Sequence, residues 1–72
     1  MLRPTHRIEL IVNGRKASTH AATIAELVEE QALAGSKVAT ALNGHFVPEA
    51  RRATTVLNTG DRVEIVSARQ GG

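Results

Sequence analysis

The stretch "RIELIV" at residues 7–12 decides the fold prediction, because its apolar residues recur at every second position. Ile8, Leu10 and Val12 share one face of an extended chain, whereas Ile11 belongs to the opposite face. A period of two predicts a β-strand that buries one face and leaves the other at the surface. We therefore expect the three alternating residues to enter the core and Ile11 to face outward.

A turn follows this strand at once, because Asn13-Gly14 is the strongest short signal for a type I′ hairpin. The return strand, residues 15–20, is polar, which is typical of a strand at the edge of a sheet. The sequence thus predicts an N-terminal β-hairpin with one weak strand.

A helix is predicted next. Thr23 and Glu26 have the spacing of a capping box, in which each side chain binds a backbone N–H at the helix start. The inward stripe of this helix consists of Ile24, Leu27, Val28, Gln31 and Ala32. Gly35 is interpreted as the stop, because glycine readily takes the left-handed conformation that follows helix ends.

The second half of the chain contains short apolar runs separated by turn signals. We predict strands at residues 38–42, 45–47 and 62–67, and turns at Asn43-Gly44 and residues 58–61. Residues 49–55 are interpreted as a polar connection, and Val56 and Leu57 as an anchor at a corner of the core. In the last strand, Val63 and Ile65 are expected to point inward.

Strands that surround a single helix indicate the α+β class. If the first and last strands lie side by side and parallel, the arrangement is a β-grasp, with four or five strands in a mixed sheet and the helix on one face. We divide the chain into a flexible N-terminal leader at residues 1–6, a β-grasp domain at residues 7–68 and a flexible C-terminal tail at residues 69–72.

Length and composition exclude several classes of function. The 72 residues form one domain, and a core of this size leaves little room for a catalytic pocket, so we expect no enzyme. The absence of cysteine excludes disulfides, thiolate metal sites and a cysteine nucleophile. The three histidines, His6, His20 and His45, lack the spacing of metal ligands, so no metal is expected.

Charge and hydropathy narrow the choice of partners. The net charge of +2 comes without a long basic run, and Phe46 is the single aromatic residue, so nucleic-acid binding is not expected. The N-terminus has no apolar signal core, and no segment approaches the length of a membrane span. We therefore expect a cytoplasmic protein without a membrane partner.

Several segments together resemble ThiS, the ubiquitin-like β-grasp family of sulfur-carrier proteins in thiamine biosynthesis that end in Gly-Gly. They are the Asn13-Gly14 hairpin, Thr23-Ile24-x-Glu26-Leu27, Val38-Ala39-x-Ala41-Leu42-Asn43-Gly44-x-x-Val47-Pro48, Gly60-Asp61-Arg62-Val63-Glu64-Ile65-Val66, and the terminal pair. Each is weak alone, but in this order they are fairly specific. The resemblance covers residues 7–72 and leaves the leader unexplained.

The resemblance implies that the carboxylate of Gly72 is adenylated and converted to a thiocarboxylate, whose sulfur enters the thiazole ring of thiamine. The partners it implies are a ThiF-like adenylating enzyme, similar to ubiquitin-activating enzymes, a ThiG-like thiazole synthase, and a sulfur donor such as cysteine desulfurase. The chain itself then holds no cofactor, because ATP and Mg²⁺ are used by the activating partner.

Two sets of residues are candidates for contact with such partners. Gly71 and Gly72 lack side chains and can thread a narrow channel, with Arg69 and Gln70 guiding the tail into an acidic entrance. On the outward sheet face, Ile11, Phe46 and Val66 are candidate docking residues.

The same tail fits other functions. Carriers for molybdopterin or cysteine synthesis share the chemistry, although the small subunit of molybdopterin synthase is usually longer and more aromatic. A ubiquitin-like modifier would instead be joined to lysines through Gly72. A plain β-grasp interaction module is the simplest alternative.

Overall fold

The computed structural model describes residues 7–31 and 37–67. The predictions for the leader at residues 1–6, for Ala32 and Gly35, and for the tail at residues 69–72 lie outside these ranges.

Five strands and two helices follow one another along the described chain. They are β1 (Ile8–Val12), β2 (Arg15–Thr19), α1 (Ile24–Glu30), β3 (Val38–Leu42), β4 (His45–Val47), a 3₁₀ helix (Glu49–Thr54) and β5 (Arg62–Ser67). The strand order across the sheet is β2-β1-β5-β3-β4. Strands β1 and β5 are parallel neighbours at the centre, and the other pairs are antiparallel. The β-grasp prediction is therefore confirmed, with five strands.

Both Asn-Gly pairs form the predicted turns. The φ angles are 52° at Asn13, 83° at Gly14, 51° at Asn43 and 87° at Gly44. Two successive positive φ angles define the type I′ turn, whose twist matches that of the strands on either side. Asparagine and glycine are the residues that adopt this backbone at least cost, so the local sequence dictates both hairpins.

The core lies between the sheet and α1. Its buried apolar residues are Leu10, Val12, Ala21, Ile24, Leu27, Val28, Val47, Leu57, Val63 and Ile65. The inward faces predicted for β1 and β5 are thus confirmed, with Val12 and Ile65 less than one tenth exposed. Two buried threonines are both hydrogen-bonded: Thr40 donates to the carbonyl of Val47, and Thr19 accepts from the amide of Ala21.

Four predictions were wrong in detail. Helix α1 ends at Glu30, and Gln31 is its exposed C-cap rather than part of the inward stripe. Val56 is 58% exposed, so Leu57 alone anchors that corner of the core. The segment interpreted as a polar connection contains the 3₁₀ helix, and the return strand ends at Thr19.

Arg52 explains why the polar connection is ordered. Its Nη2 donates to the carbonyl oxygen of Val38 at 2.6 Å, and its Nε donates to Oγ1 of Thr40 at 3.3 Å. Hydrogen bonds from a charged donor are stronger than neutral ones. These bonds hold the 3₁₀ helix to the beginning of β3, where no apolar residue of the helix is buried.

The predicted capping box is present with one change. Oγ1 of Thr23 accepts from the amide of Glu26 at 3.2 Å, as expected. The Glu26 carboxylate accepts from the amide of Ala22 at 2.7 Å, one residue before the N-cap. Two backbone N–H groups that the helix itself cannot pair are therefore satisfied by side chains.

Replacing Thr23 with alanine is expected to destabilise the domain by about 1 kcal/mol, because the amide of Glu26 loses its acceptor. For a domain of this size, that loss lowers Tm by about 4–8 °C. Thermal unfolding followed by circular dichroism measures the shift. The matched variant Thr23→Ser keeps the hydroxyl oxygen and should unfold near the wild-type temperature; equal losses in both variants would contradict a capping role.

Candidate functional site

The predicted reactive tail follows directly on β5, the central strand of the sheet. Strand β5 ends at Ser67, and residues 68–72 carry the predicted Arg69, Gln70, Gly71 and Gly72, all outside the described residues. The described part of the site is therefore β5 together with the surface and side chains that hold it.

Strand β3 pairs with one side of β5 from Val63 to Ser67. The register pairs Val38 with Ser67 and Leu42 with Val63. On the other side, the parallel partner β1 is matched only at Ile11 with Arg62 and Val12 with Val63. The later half of β5 therefore has a complete strand neighbour on one side alone.

The two turn asparagines complete this support, and sequence analysis missed their second role. Asn13 Nδ2 donates to the carbonyl oxygen of Ile65 at 3.1 Å, and its Oδ1 accepts from the Ile65 amide at 2.9 Å. At the start of β5, Asn43 Oδ1 accepts from the Arg62 amide at 2.8 Å, and its Nδ2 donates to Asp61 Oδ1 at 3.0 Å. Each asparagine thus forms a turn and binds β5.

The outward sheet face carries an apolar patch next to the end of β5. In the register Phe46 pairs with Ala41, and Val66 pairs with Ala39. Because residues two apart on a strand share a face, these four residues lie together, and we call them the outer patch. Phe46 is 69% exposed and Val66 is 61% exposed.

The structure leaves Ile11 outside the outer patch. Ile11 is only half-buried, which agrees with its predicted outward direction, but it pairs with Arg62 at the beginning of β5. Val66 lies about 13 Å farther along the strand at the usual rise per residue. The outward residues of β5 that precede Val66 are the charged Arg62 and Glu64. Of the three candidate docking residues, Phe46 and Val66 thus lie on the same face, on either side of β3 and next to its Ala41 and Ala39.

The described residues were searched for groups that could bind a metal ion or another small ligand. Within residues 7–31 and 37–67, no group of three or more His, Cys, Asp or Glu side chains is arranged to hold a metal ion. His20 and His45 are exposed, and His6 lies outside the described residues. Over the same ranges, every buried side-chain nitrogen or oxygen has a hydrogen-bond partner.

Three depressions on the described surface have volumes of about 290, 240 and 220 Å³, and all three are open to solvent. Neither helix in the described part of the chain is long and apolar enough to cross a membrane.

Comparison with known proteins agrees with this fold. The chain is similar to the crystal structure of a thiamine biosynthesis protein (ThiS) from Geobacter metallireducens, with 28% identity and a TM-score of 0.75. The alignment covers 90% of this chain and 100% of that one. No curated protein matches the chain. The model of the ThiS family matches residues 5–72, and the chain therefore belongs to the ThiS family.

Proposed function

We propose that this protein is a sulfur carrier of thiamine biosynthesis, which presents the carboxylate of Gly72 to partner enzymes. The observation that carries the proposal is the family match, which extends over residues 5–72 and includes Gly71 and Gly72. The fold supports the proposal as well, because the central strand β5 ends at Ser67, only a few residues before Gly71 and Gly72 in the sequence. The chain is then a co-substrate, and the catalytic groups belong to its partners.

The proposed chemistry begins with adenylation. A carboxylate oxygen of Gly72 attacks the α-phosphate of ATP in a ThiF-like enzyme, where Mg²⁺ neutralises phosphate charge, and pyrophosphate leaves. Because Gly71 and Gly72 have no side chain, nothing crowds the attacking oxygen. The product is an acyl-adenylate, whose carbonyl carbon is open to a nucleophile.

Sulfur transfer follows in the same scheme. A sulfide attacks the Gly72 carbonyl carbon, AMP leaves, and a thiocarboxylate remains. When the donor is a persulfide on a cysteine desulfurase, attack gives an acyl disulfide, which a second thiol reduces to the thiocarboxylate. A ThiG-like thiazole synthase then accepts the sulfur.

The adenylating enzyme provides the test of this function. Incubated with ATP, Mg²⁺ and a ThiF-like enzyme, the protein is expected to support exchange of labelled pyrophosphate into ATP. Omission of either protein should stop the exchange. A failure of the complete mixture would contradict the proposed function, and formation of conjugates with lysine residues in a cell extract would favour a ubiquitin-like modifier instead.

We place the docking surface for the partners on the outer patch, Ala39, Ala41, Phe46 and Val66. The exposure of Phe46 and Val66 supports this assignment, because a contiguous apolar area at the surface is typical of protein contact sites. The patch also adjoins the strand that carries the tail. Ile11 is assigned to the periphery, because it pairs with the charged Arg62 at the other end of β5.

Replacing Val66 with glutamate is expected to raise the KM of the adenylating enzyme for this protein by about tenfold, which corresponds to about 1.4 kcal/mol of lost contact energy. Val56→Glu is the matched control, because Val56 is similarly exposed (58% against 61%) but pairs with Thr23 at the start of α1. Pyrophosphate exchange at varied carrier concentration measures both. Equal KM values for the two folded variants would exclude the outer patch as a docking surface.

A further inference from the structure

We propose that Asn13 is a positioning residue, which fixes the end of β5 from which the reactive tail extends. This inference rests on the proposed function. The observation behind it is a pair of hydrogen bonds between the side chain of Asn13 and the backbone of Ile65. These two residues are 52 positions apart in the sequence. A turn residue has no need of these bonds, because Asn13 and Gly14 already form the hairpin.

The side chain of Asn13 replaces a missing piece of strand. The amide of Asn13 donates to the carbonyl oxygen of Val63 at 2.9 Å, which is the last backbone hydrogen bond between the β1 side and β5. Beyond this point the chain turns away, since φ is 52° at Asn13. A primary amide offers one acceptor and a donor in the geometry of a peptide group. The side chain of Asn13 therefore continues the hydrogen bonds of the parallel pair along β5, from Val63 to Ile65.

This extension lies at the end of β5 that matters for the tail. Ile65 precedes Ser67, the last residue of the strand, and residues 68–72 follow. Fully extended, those residues span at most about 18 Å, so the position of their anchor limits which points the carboxylate of Gly72 can reach. Without the Asn13 bonds, β5 would lose its backbone support on the β1 side at Ile65, and its end would open more often.

Asn43 supplies a matched comparison within the same molecule. It occupies the same turn position, with φ of 51°, and it also binds β5 through its side chain. Its partner is the amide of Arg62, at the opposite end of the strand from the tail. Loss of the Asn43 side chain therefore removes a similar bond without freeing the anchor of the tail.

The test compares Asn13→Gly with Asn43→Gly. Glycine accepts positive φ angles, so both turns are kept while each side-chain amide is removed. For Asn13→Gly we expect kcat for pyrophosphate exchange to fall about tenfold with little change in KM, because a displaced reacting group slows the bound complex. The exchange of the Ile65 amide hydrogen should become about fivefold faster. For Asn43→Gly, kcat and Ile65 exchange should stay near wild type.

A second variant of Asn13 tests whether the loss of kcat comes from the lost hydrogen bond rather than from a disturbed fold. Asn13→Asp keeps the oxygen that accepts from the Ile65 amide but loses the donor to the Ile65 carbonyl, and its kcat should also fall. Equal kcat values for wild type and both Asn13 variants, or equal falls in the Asn13 and Asn43 variants, would overturn the positioning role. Absence of exchange in the wild type would instead contradict the proposed function, and the positioning role would fall with it.

Discussion

A chain that ends at Gly71 is expected to lose adenylation by at least about a hundredfold, because its carboxylate stops one residue short of the attacking position. A chain with one alanine added after Gly72 should lose it as well, since the carboxylate then overshoots. Both changes lie beyond β5, so neither should alter Tm. Pyrophosphate exchange with the adenylating enzyme measures the loss, and circular dichroism verifies the fold.

The control for this pair is Ala68→Ser, which changes a side chain next to the tail but keeps the length of the chain. We expect it to retain most of the wild-type rate. If the shortened and the extended chains are adenylated as fast as this control, the reactive group is not the carboxylate of Gly72.

Replacing Leu10 with alanine is expected to destabilise the domain by about 2–5 kcal/mol, because the side chain leaves a cavity in a core that cannot close around it. Leu10 is 1% exposed and belongs to the cluster between the sheet and α1. Domains have total stabilities of only about 5–15 kcal/mol, and a small one lies near the lower limit. This single change therefore removes a large share of the free energy of unfolding, and at the upper end of the range nearly all of it.

The neighbouring residue is the matched control for the core. Ile11 has the same number of side-chain atoms but lies half-buried on the outward face. Ile11→Ala should cost about 1 kcal/mol or less. Urea unfolding curves give both values, and a larger loss for Ile11 than for Leu10 would contradict the assignment of the two sheet faces.

Local signals were sufficient for most of the fold. The alternation of Ile8, Leu10 and Val12 predicted which face is buried, and both Asn-Gly turns formed as expected. Thr23 was identified as the N-cap from its spacing to Glu26. These features depend on residues that are near one another in sequence, so pattern and backbone preference determine them. The parallel pairing of β1 and β5 was the condition for a β-grasp, which the family resemblance implied, and the register confirms it.

Features that depend on distant partners were missed. The bond between Arg52 and the carbonyl of Val38 orders a segment that looks like a plain polar connection. The hydrogen bonds from Asn13 to Ile65 could not be predicted from the sequence either. An Asn-Gly pair is fully accounted for by the turn it forms, so nothing in the pattern indicates a second role. Ile11 was grouped with Val66 because both were expected to point outward. Only the register shows that Ile11, in β1, lies beside the beginning of β5, whereas Val66 lies near the end of β5.

Mass spectrometry of the C-terminal fragment of the protein tests the carrier function most directly. The protein is treated with ATP, Mg²⁺, the ThiF-like enzyme and sulfide, and the C-terminal fragment is then analysed. The expected result is replacement of one carboxylate oxygen of Gly72 by sulfur, dependent on ATP and reversed when thiazole synthase and its other substrates are added. An unchanged mass at Gly72, in a mixture whose enzyme thiocarboxylates a known ThiS protein, would contradict the carrier function.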